Sequence, residues 1–230
     1  MKRKIISTII IVIGVFVIAY PKMTEAYVDY KQQKLIREWN ESLSIIDEGS
    51  INYQDDNEII LIEEQNTETV EDNKENEAYK EAEEKKKENE RKLREEYIKK
   101  NMEGMLIIKK INLNLPILKG AIEENLKISV ASIEHTGKAG QEGNYAIAGH
   151  RSHTYGRNFN RLDEVEIGDI IEIDKGESQY KYVVVEKLYV KPEETWVLNS
   201  NKKNKEITLV TCHPMIKPTQ RLIIKGNIIE

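Results

Sequence analysis

The apolar residues of this chain are distributed unevenly, and this distribution limits where a folded core can form. Residues 52–100 consist largely of Glu, Lys, Asn and Asp. From Met105 onward Ile, Leu and Val dominate, and they alternate with polar residues in stretches such as 181–186. A highly charged segment with few apolar residues cannot offset the conformational entropy lost on folding. We therefore predict one core-forming domain at 105–230, preceded by an extension.

The pattern after Gly104 predicts strands. Short runs of branched residues, bounded by turn-forming residues and with little helix between them, indicate an all-β sandwich or barrel. One short helix is expected within 123–133. The predicted strands are 105–111, 115–119, 145–149, 169–174, 180–190, 206–211 and 221–228.

The N-terminus has the features of a membrane anchor. Basic residues 2–4 precede an uncharged apolar run at 5–20, which as a helix would span about 24 Å. Basic residues before the run predict a cytoplasmic tail at 1–4 and an extracellular position for all that follows. A cleaved signal peptide is the alternative, because the run is short and residues 17–19 could serve as a cleavage site. We favour the uncleaved anchor, since no small-residue segment of the usual kind follows the run.

Residues 21–104 are interpreted as a charged, largely helical spacer between membrane and domain. Apolar residues recur every three or four positions from 26 to 46, which is typical of an amphipathic helix. A second helix is predicted at 74–100 from repeated Glu-to-Lys or Glu-to-Arg pairs four residues apart, such as Glu88 with Lys92. The apolar run 59–62 between them could be a strand or a docking segment. An autoinhibitory role for the extension is the alternative to a spacer.

The charge balance excludes some functions. A formal net charge of −5 and the lack of a basic stripe argue against nucleic-acid binding. Glu142, Asp163 and Asp169 are scattered carboxylates with no loop of alternating oxygen ligands, so they predict solvated surface and no calcium site. We expect no cofactor and no metal.

The single cysteine, Cys212, lies at the end of a predicted strand. A lone thiol in an exported protein has no internal disulfide partner, so a reactive nucleophile and a buried small hydrophobe are both open readings. The string Thr208-Leu209-Val210-Thr211-Cys212, followed by Arg221 on the next strand, resembles the sortases, the wall-anchoring transpeptidases of Gram-positive bacteria. Residues 143–151 resemble that family's strand ending in its active-site histidine, here His150, and residues 160–169 resemble its link into the next strand.

This resemblance covers 105–230 and implies the eight-stranded sortase barrel. Acyl transfer needs a nucleophile, an acid for the departing amine and donors for the oxyanion. Cys212, His150 and Arg221 suit these roles, and the resemblance implies the same roles, with Arg221 either stabilising the oxyanion or holding the substrate. Thr211 and Leu209 from the same string are taken as substrate contacts.

Three further histidines compete with His150. His213 follows Cys212 directly, and neighbouring side chains of a strand point to opposite faces, so we expect it to face away. His153 is interpreted as a surface residue of the loop after His150. His135 matches a position where sortases often carry a histidine near the pocket, and it is kept as a candidate substrate contact.

The resemblance implies cleavage of a Leu-Pro-x-Thr-Gly-like sorting signal between Thr and Gly, with transfer to a cell-wall precursor amine of the lipid II type. Its partners would be secreted proteins that carry the signal. Residues 211–214 and 221–226 resemble class D sortases and, in part, class C, but the Asp-Pro-aromatic lid motif of class C is absent ahead of the domain. The alternatives are a pilin-polymerising enzyme of class C type and a non-catalytic, membrane-tethered binding module.

Overall fold

The apolar alternation after residue 101 is realised as a closed β-barrel. The computed structural model describes the backbone of residues 2–49, 85–86, 88–89, 92–93, 96–200 and 203–229, and side chains within the N-terminal helix at 11 and 13–40. The strands close in the order β1-β2-β3-β4-β7-β8-β6-β5, which confirms the predicted all-β, eight-stranded barrel. They are β1 (Met102–Ile108), β2 (Leu113–Leu118), β3 (Val130–Ser132), β4 (Gly143–Ala148), β5 (Ile170–Asp174), β6 (Gln179–Val190), β7 (Lys205–His213) and β8 (Gln220–Ile228).

The two faces of the late strands are distinguished by what they pack against. Ile207 and Leu209 of β7 lie in the barrel core, where their side chains are fully buried. Val210 instead packs against a second apolar cluster, made by Val190, Val197 and Ile223. Successive side chains of a strand point to opposite faces. Thr211 therefore points to the core face of the barrel wall, whereas Cys212 shares the outer face with Val210.

The early strands differ from their predicted bounds. The first strand ends at Ile108, and Lys109–Ile111 form a 3-10 turn closed by Asn112, whose φ of 58° is left-handed. Asn tolerates this conformation better than most residues, so the chain can reverse there and begin β2 at Leu113. The predicted first strand, 105–111, therefore included three residues that belong to the turn. The three-residue strand β3 was not predicted, whereas the short helix was, and it is α2 (Glu123–Ile128).

Two pairs of strands are parallel, and one of them positions the candidate site. β2 pairs with β3, and β4 pairs with β7 in a register that runs from Gly143 with Lys205 to Ala148 with Val210. β7 then pairs antiparallel with β8. Together β7 and β8 fill the gap between β4 and β6.

The N-terminal helix α1 runs from Lys2 to Gly49 and contains Pro21. It includes the predicted amphipathic helix 26–46, as a continuation of the apolar run. Among residues with described side chains, no helix is both long and apolar enough to cross a membrane. The predicted span 5–20 includes residues 5–10 and 12, whose side chains lie outside that set.

Residues 1–37 and 101–230 form one compact unit, and residues 38–100 form another. In the first unit α1 packs on the barrel through Gln32, which is 8% exposed and donates to the Ile128 carbonyl (3.1 Å) and to Asn158 Oδ1 (3.2 Å). Asp29 pairs with Arg157 at 3.4 Å. A buried amide needs such partners, so this contact is specific.

In the second unit the described residues between 85 and 100 have helical backbone, as predicted for 74–100. Of the predicted ion pairs, Glu88 and Lys92 are 3.4 Å apart. The apolar run 59–62 lies outside the described residues.

Candidate active site

The parallel ladder between β4 and β7 brings His150 beside Cys212. Ala148 pairs with Val210, and the ladder continues past the end of β4, because the Gly149 N–H donates to the Val210 carbonyl at 3.1 Å. Continuing the same register by two residues places His150 opposite Cys212. Neighbouring strands lie about 4.8 Å apart, so the backbones of His150 and Cys212 are adjacent.

The backbone of Gly149 is held close to Thr211 of β7 and to the Phe159 ring. The Thr211 hydroxyl donates to the Gly149 carbonyl at 2.8 Å, in a site where Thr211 is 2% exposed. A Cβ on Gly149 would lie 2.6 Å from Cδ2 of Phe159, so a larger residue would collide with the ring. The small residue before His150 is therefore needed for the close approach of this ring.

The antiparallel pairing of β7 with β8 sets Arg221 directly opposite Cys212. Both side chains belong to the same face of the barrel wall, and directly opposed residues have Cβ atoms about 4.5–5.5 Å apart. The Arg221 Nη1 donates to the Gln220 carbonyl at 3.2 Å. The guanidinium keeps further N–H donors for a substrate oxygen, since it carries five.

The three side chains are open to a peptide. His150 is exposed, and Cys212 and Arg221 are half-buried. A carboxylate also lies within electrostatic range of His150. The hydrogen bond and charge of Lys127 lower the pKa of Glu123, and the charge of His150 lowers it further. Glu123 belongs to the first turn of α2, and nothing in its local sequence pointed to this proximity.

Three predicted substrate contacts are not brought to this site. Leu209 is fully buried in the barrel core and cannot touch a peptide. Thr211 is also buried, and its hydroxyl is engaged by Gly149. His135 lies beside the start of β4, because Ile133 and Gly137 pair with Ala146 and Asn144. That position is about 16 Å along β4 from His150.

His213 and His153 do not join the site. His153 is exposed in the loop after His150. His213 follows Cys212 at the end of β7 and packs against the Tyr189 ring, with ring centroids 4.4 Å apart. Its Nδ1 lies 2.7 Å from Nη1 of Arg151. Arg151 is a residue that the sequence analysis did not single out, although it directly follows His150.

Two of the three scattered carboxylates pair with basic side chains. Asp163 pairs with Arg151 at 2.6 Å, Asp169 pairs with Lys110 at 2.8 Å, and Glu142 is exposed. Within the described part of the chain, no three His, Cys, Asp or Glu side chains are grouped so that they could hold a metal ion.

Comparison with known proteins gives one consistent result. Residues 106–229 match the family model of the sortase domain. The chain is 32% identical to sortase A of Bacillus anthracis over 131 residues, which are 57% of this chain and 61% of that protein. It is 28% identical to sortase D of Bacillus subtilis over 127 residues, or 54% and 62% of the two chains. The match thus spans about three fifths of the length of these relatives.

Solved structures agree with the sequence relatives. A Clostridium perfringens sortase D5 transpeptidase has a TM-score of 0.52 and 30% identity, with 56% of this chain and 79% of that chain covered. Sortase C1 of Streptococcus agalactiae has a TM-score of 0.54 and 32% identity, with 57% and 68% covered.

Proposed function

Because this chain belongs to the sortase family, we propose that it is a cysteine transpeptidase with Cys212 as nucleophile, His150 as acid and base, and Arg221 as donor to the oxyanion or the substrate. The observation that carries the proposal is the pairing of Cys212 with Arg221 across β7 and β8, next to the strand that leads to His150. Three strands thus bring together a thiol, an imidazole and a permanent cation.

The chemistry proceeds in two acyl transfers. The Cys212 thiolate attacks the carbonyl carbon of the residue before the scissile bond, and the resulting oxyanion accepts hydrogen bonds from Arg221. The C–N bond breaks as His150 gives a proton to the departing amine, which leaves a thioester on Cys212. An acceptor amine then attacks the thioester and loses its proton to His150. A new amide forms, and the thiolate is released.

The proposed donor substrate is a secreted protein with a Leu-Pro-x-Thr-Gly-like signal, cut between Thr and Gly, and the acceptor is a cell-wall precursor amine. A class D-like enzyme is favoured, because residues 211–214 and 221–226 resemble that class and because sortase D of Bacillus subtilis is among the relatives. The similarity to sortase C1 of Streptococcus agalactiae supports the pilin-polymerising alternative.

We also propose that α1 anchors the enzyme in the cell membrane with the barrel outside. The support is the set of apolar side chains described at 11 and 13–20, nearly all of which are exposed around the helix, among them Phe16 at 68% and Ile18 at 78%. Exposed apolar side chains on all sides of a helix are typical of contact with lipid. Fractionation of cells that produce the full chain tests this proposal, which recovery of the protein in the soluble fraction would overturn.

The activity is tested with the full chain in detergent, a sorting-signal peptide and an amine. The wild-type protein should form a thioester with the N-terminal peptide fragment and then an amide, both visible by mass spectrometry. The Cys212→Ala variant should form neither product while it keeps the barrel fold. Turnover by Cys212→Ala would exclude the covalent mechanism. Use of a pilin lysine in preference to a cell-wall amine would identify the class C alternative.

A further inference from the structure

A second pair of side chains connects the two strands that carry His150 and Cys212. The pair consists of Arg151 and His213, each directly C-terminal to one of those residues. Nη1 of Arg151 and Nδ1 of His213 are 2.7 Å apart. The Nη2 of Arg151 lies 2.6 Å from Oδ2 of Asp163. We refer to Asp163, Arg151 and His213 as the rim cluster.

The hydrogen bond in the rim cluster determines which ring nitrogen of His213 carries the proton. A guanidinium carries only donors and stays protonated in proteins. Nδ1 of His213 must therefore accept, which places the ring proton on Nε2. The ring packs against Tyr189, with an angle of 55° between the ring planes. His213 is held as an acceptor, and the acid role is left to His150.

Arg151 is buried, so its pairing with Asp163 differs from an ordinary ion pair on the protein surface. Its side chain is 6% exposed, whereas that of Asp163 is 39% exposed. Its Nε is buried without a hydrogen-bond partner among the described residues. Burying a guanidinium with one donor unsatisfied costs free energy, and apolar side chains of similar volume often serve stability as well or better. A role in stability alone therefore does not account for this arginine.

The backbone around Arg151 is tied on both sides. Arg151 forms an isolated β-bridge with Asn158, and the Phe159 N–H donates to the His150 carbonyl at 3.1 Å. On the other strand, the Thr219 N–H donates to the His213 carbonyl at 3.0 Å. The Arg151–His213 hydrogen bond joins these two fixed backbones just beyond the end of the β4–β7 ladder.

We propose that Arg151 is a positioning residue, which sets the distance and orientation between His150 and Cys212 by binding His213 Nδ1 across the gap between their strands. The backbones of consecutive residues cannot move independently, so a link from 151 to 213 restrains 150 and 212. Asp163 orients the guanidinium from its other side. This proposal rests on the proposed function, because it assigns a role in the same reaction.

Matched substitutions separate positioning from stability. Arg151→Gln removes the charge and the link, and His213→Leu removes the acceptor while Arg151 stays. His213→Asn is the conservative variant, because an asparagine side chain can place an oxygen close to the Nδ1 position. Arg161→Gln is the control, since Arg161 belongs to the same segment but pairs with Glu164 at 2.6 Å, away from His213.

The first readout is the rate at which iodoacetamide alkylates Cys212 in the full chain, measured as a function of pH. The difference between the profiles of the wild type and His150→Ala defines the contribution of His150 to thiol reactivity. Arg151→Gln and His213→Leu should move the profile part of the way to that of His150→Ala, whereas His213→Asn and Arg161→Gln should keep the wild-type profile. The second readout is peptide turnover, where kcat should fall about tenfold in the first two variants with little change in KM.

The alkylation profile distinguishes failure of this inference from failure of the proposed function. A wild-type profile in Arg151→Gln and His213→Leu would overturn the inference, as would an equal shift in Arg161→Gln or identical profiles for the wild type and His150→Ala. If Arg151→Gln does not fold, His213→Leu and His213→Asn decide the matter. A wild-type chain that shows the predicted profiles but processes no sorting peptide would leave the positioning role intact and remove the proposed function.

Discussion

Arg221 is the charged side chain that lies directly opposite the candidate nucleophile, Cys212. Both side chains belong to the same face of the barrel wall. The Arg221 guanidinium is therefore positioned to donate hydrogen bonds to the oxygen that becomes negative in the proposed acyl transfer. A guanidinium is planar and can hold two oxygens at once, whereas an ammonium is a point charge. The shape of this residue therefore matters as well as its charge.

Arg221→Lys should accordingly lose nearly as much activity as Arg221→Ala. We expect kcat/KM to fall by about a hundredfold or more in both, which is typical of the loss of one oxyanion donor. The measurement is steady-state peptide cleavage, with circular dichroism to verify the barrel. Near-normal activity of the lysine variant would show that charge alone is sufficient.

Thr211→Val tests the side chain that ties the cysteine strand to Gly149. The substitution keeps the volume but leaves the buried Gly149 carbonyl without the hydroxyl donor, so unfolding free energy should fall by about 1–2 kcal/mol. Peptide turnover should fall too, because Gly149 precedes His150. Urea unfolding and steady-state kinetics measure both effects, with the exposed Thr195→Val as control. An unchanged stability would show that the hydrogen bond is not formed in solution.

At the scale of single residues, a role could be predicted from sequence only where the residue lies within a short motif. Cys212, His150 and Arg221 were each proposed as site residues from their neighbours in sequence. Arg151 and Thr211 act through hydrogen bonds to His213 and Gly149, residues about 60 positions away, so their roles depend on the parallel register of β4 and β7. No local pattern specifies that register. Leu209 was assigned to substrate for the same reason, since the string does not reveal which of its residues face the core.

At the scale of elements, long alternating strands were predictable and short ones were not. β6 and β8 were found close to their observed bounds, because each has enough alternation to show a period of two. β3 has three residues and exists through its pairing with β2 and β4, which is tertiary information. The packing of α1 on the loop at 154–158 could not be predicted from the sequence either, because it depends on single contacts such as that of Gln32 with Asn158.

One ion pair joins two elements of the barrel and makes its stability depend on pH. Lys110, in the turn between β1 and β2, lies 2.8 Å from Asp169, just before β5. Burial alone would raise the pKa of Asp169, but the hydrogen bonds from Lys110 and from the Glu166 N–H, together with the charge of Lys110, hold it below its ordinary value. The folded pKa is thus lower than the unfolded one. The contribution is therefore present above the unfolded pKa and is lost as pH falls through the folded value.

Asp169→Asn should reduce the unfolding free energy near pH 7, and the difference from the wild type should shrink on acidification to about pH 3. Urea unfolding at a series of pH values measures this difference. Glu177→Gln, an exposed change in the turn between β5 and β6, should show no such trend. A difference that stays constant across the acid range would contradict the assigned direction of the pKa shift.

At the scale of the whole molecule, the proposed division into a membrane anchor and a catalytic barrel can be tested by truncation. A protein of residues 101–230 should cleave a sorting peptide, because the three candidate residues and the barrel are retained. It should melt about 5 °C below a protein of residues 22–230, since it lacks the buried contacts of Gln32 and Leu35 with the rest of their unit. Calorimetry and peptide cleavage measure the two effects.

The same comparison decides the role of the extension. A folded but inactive 101–230 protein would make the extension part of the site. A markedly faster one would show that the extension restrains the enzyme, which is the autoinhibitory alternative. Equal melting temperatures would show that the α1 contact contributes nothing to stability.

The strand order β4-β7-β8-β6 determines when the candidate site residues come together during folding. The last two barrel strands in chain order, β7 and β8, enter the sheet between two strands that precede them in the chain, and before that step Cys212 has neither His150 nor Arg221 beside it. Pairings between distant residues form late, because their loop-closure entropy is large. A nascent or half-folded chain thus carries Cys212 without the two side chains proposed to act with it. Under the proposed mechanism, barrel closure is also the step that brings Cys212 together with its partners, so the rate of alkylation during refolding should report when the barrel closes.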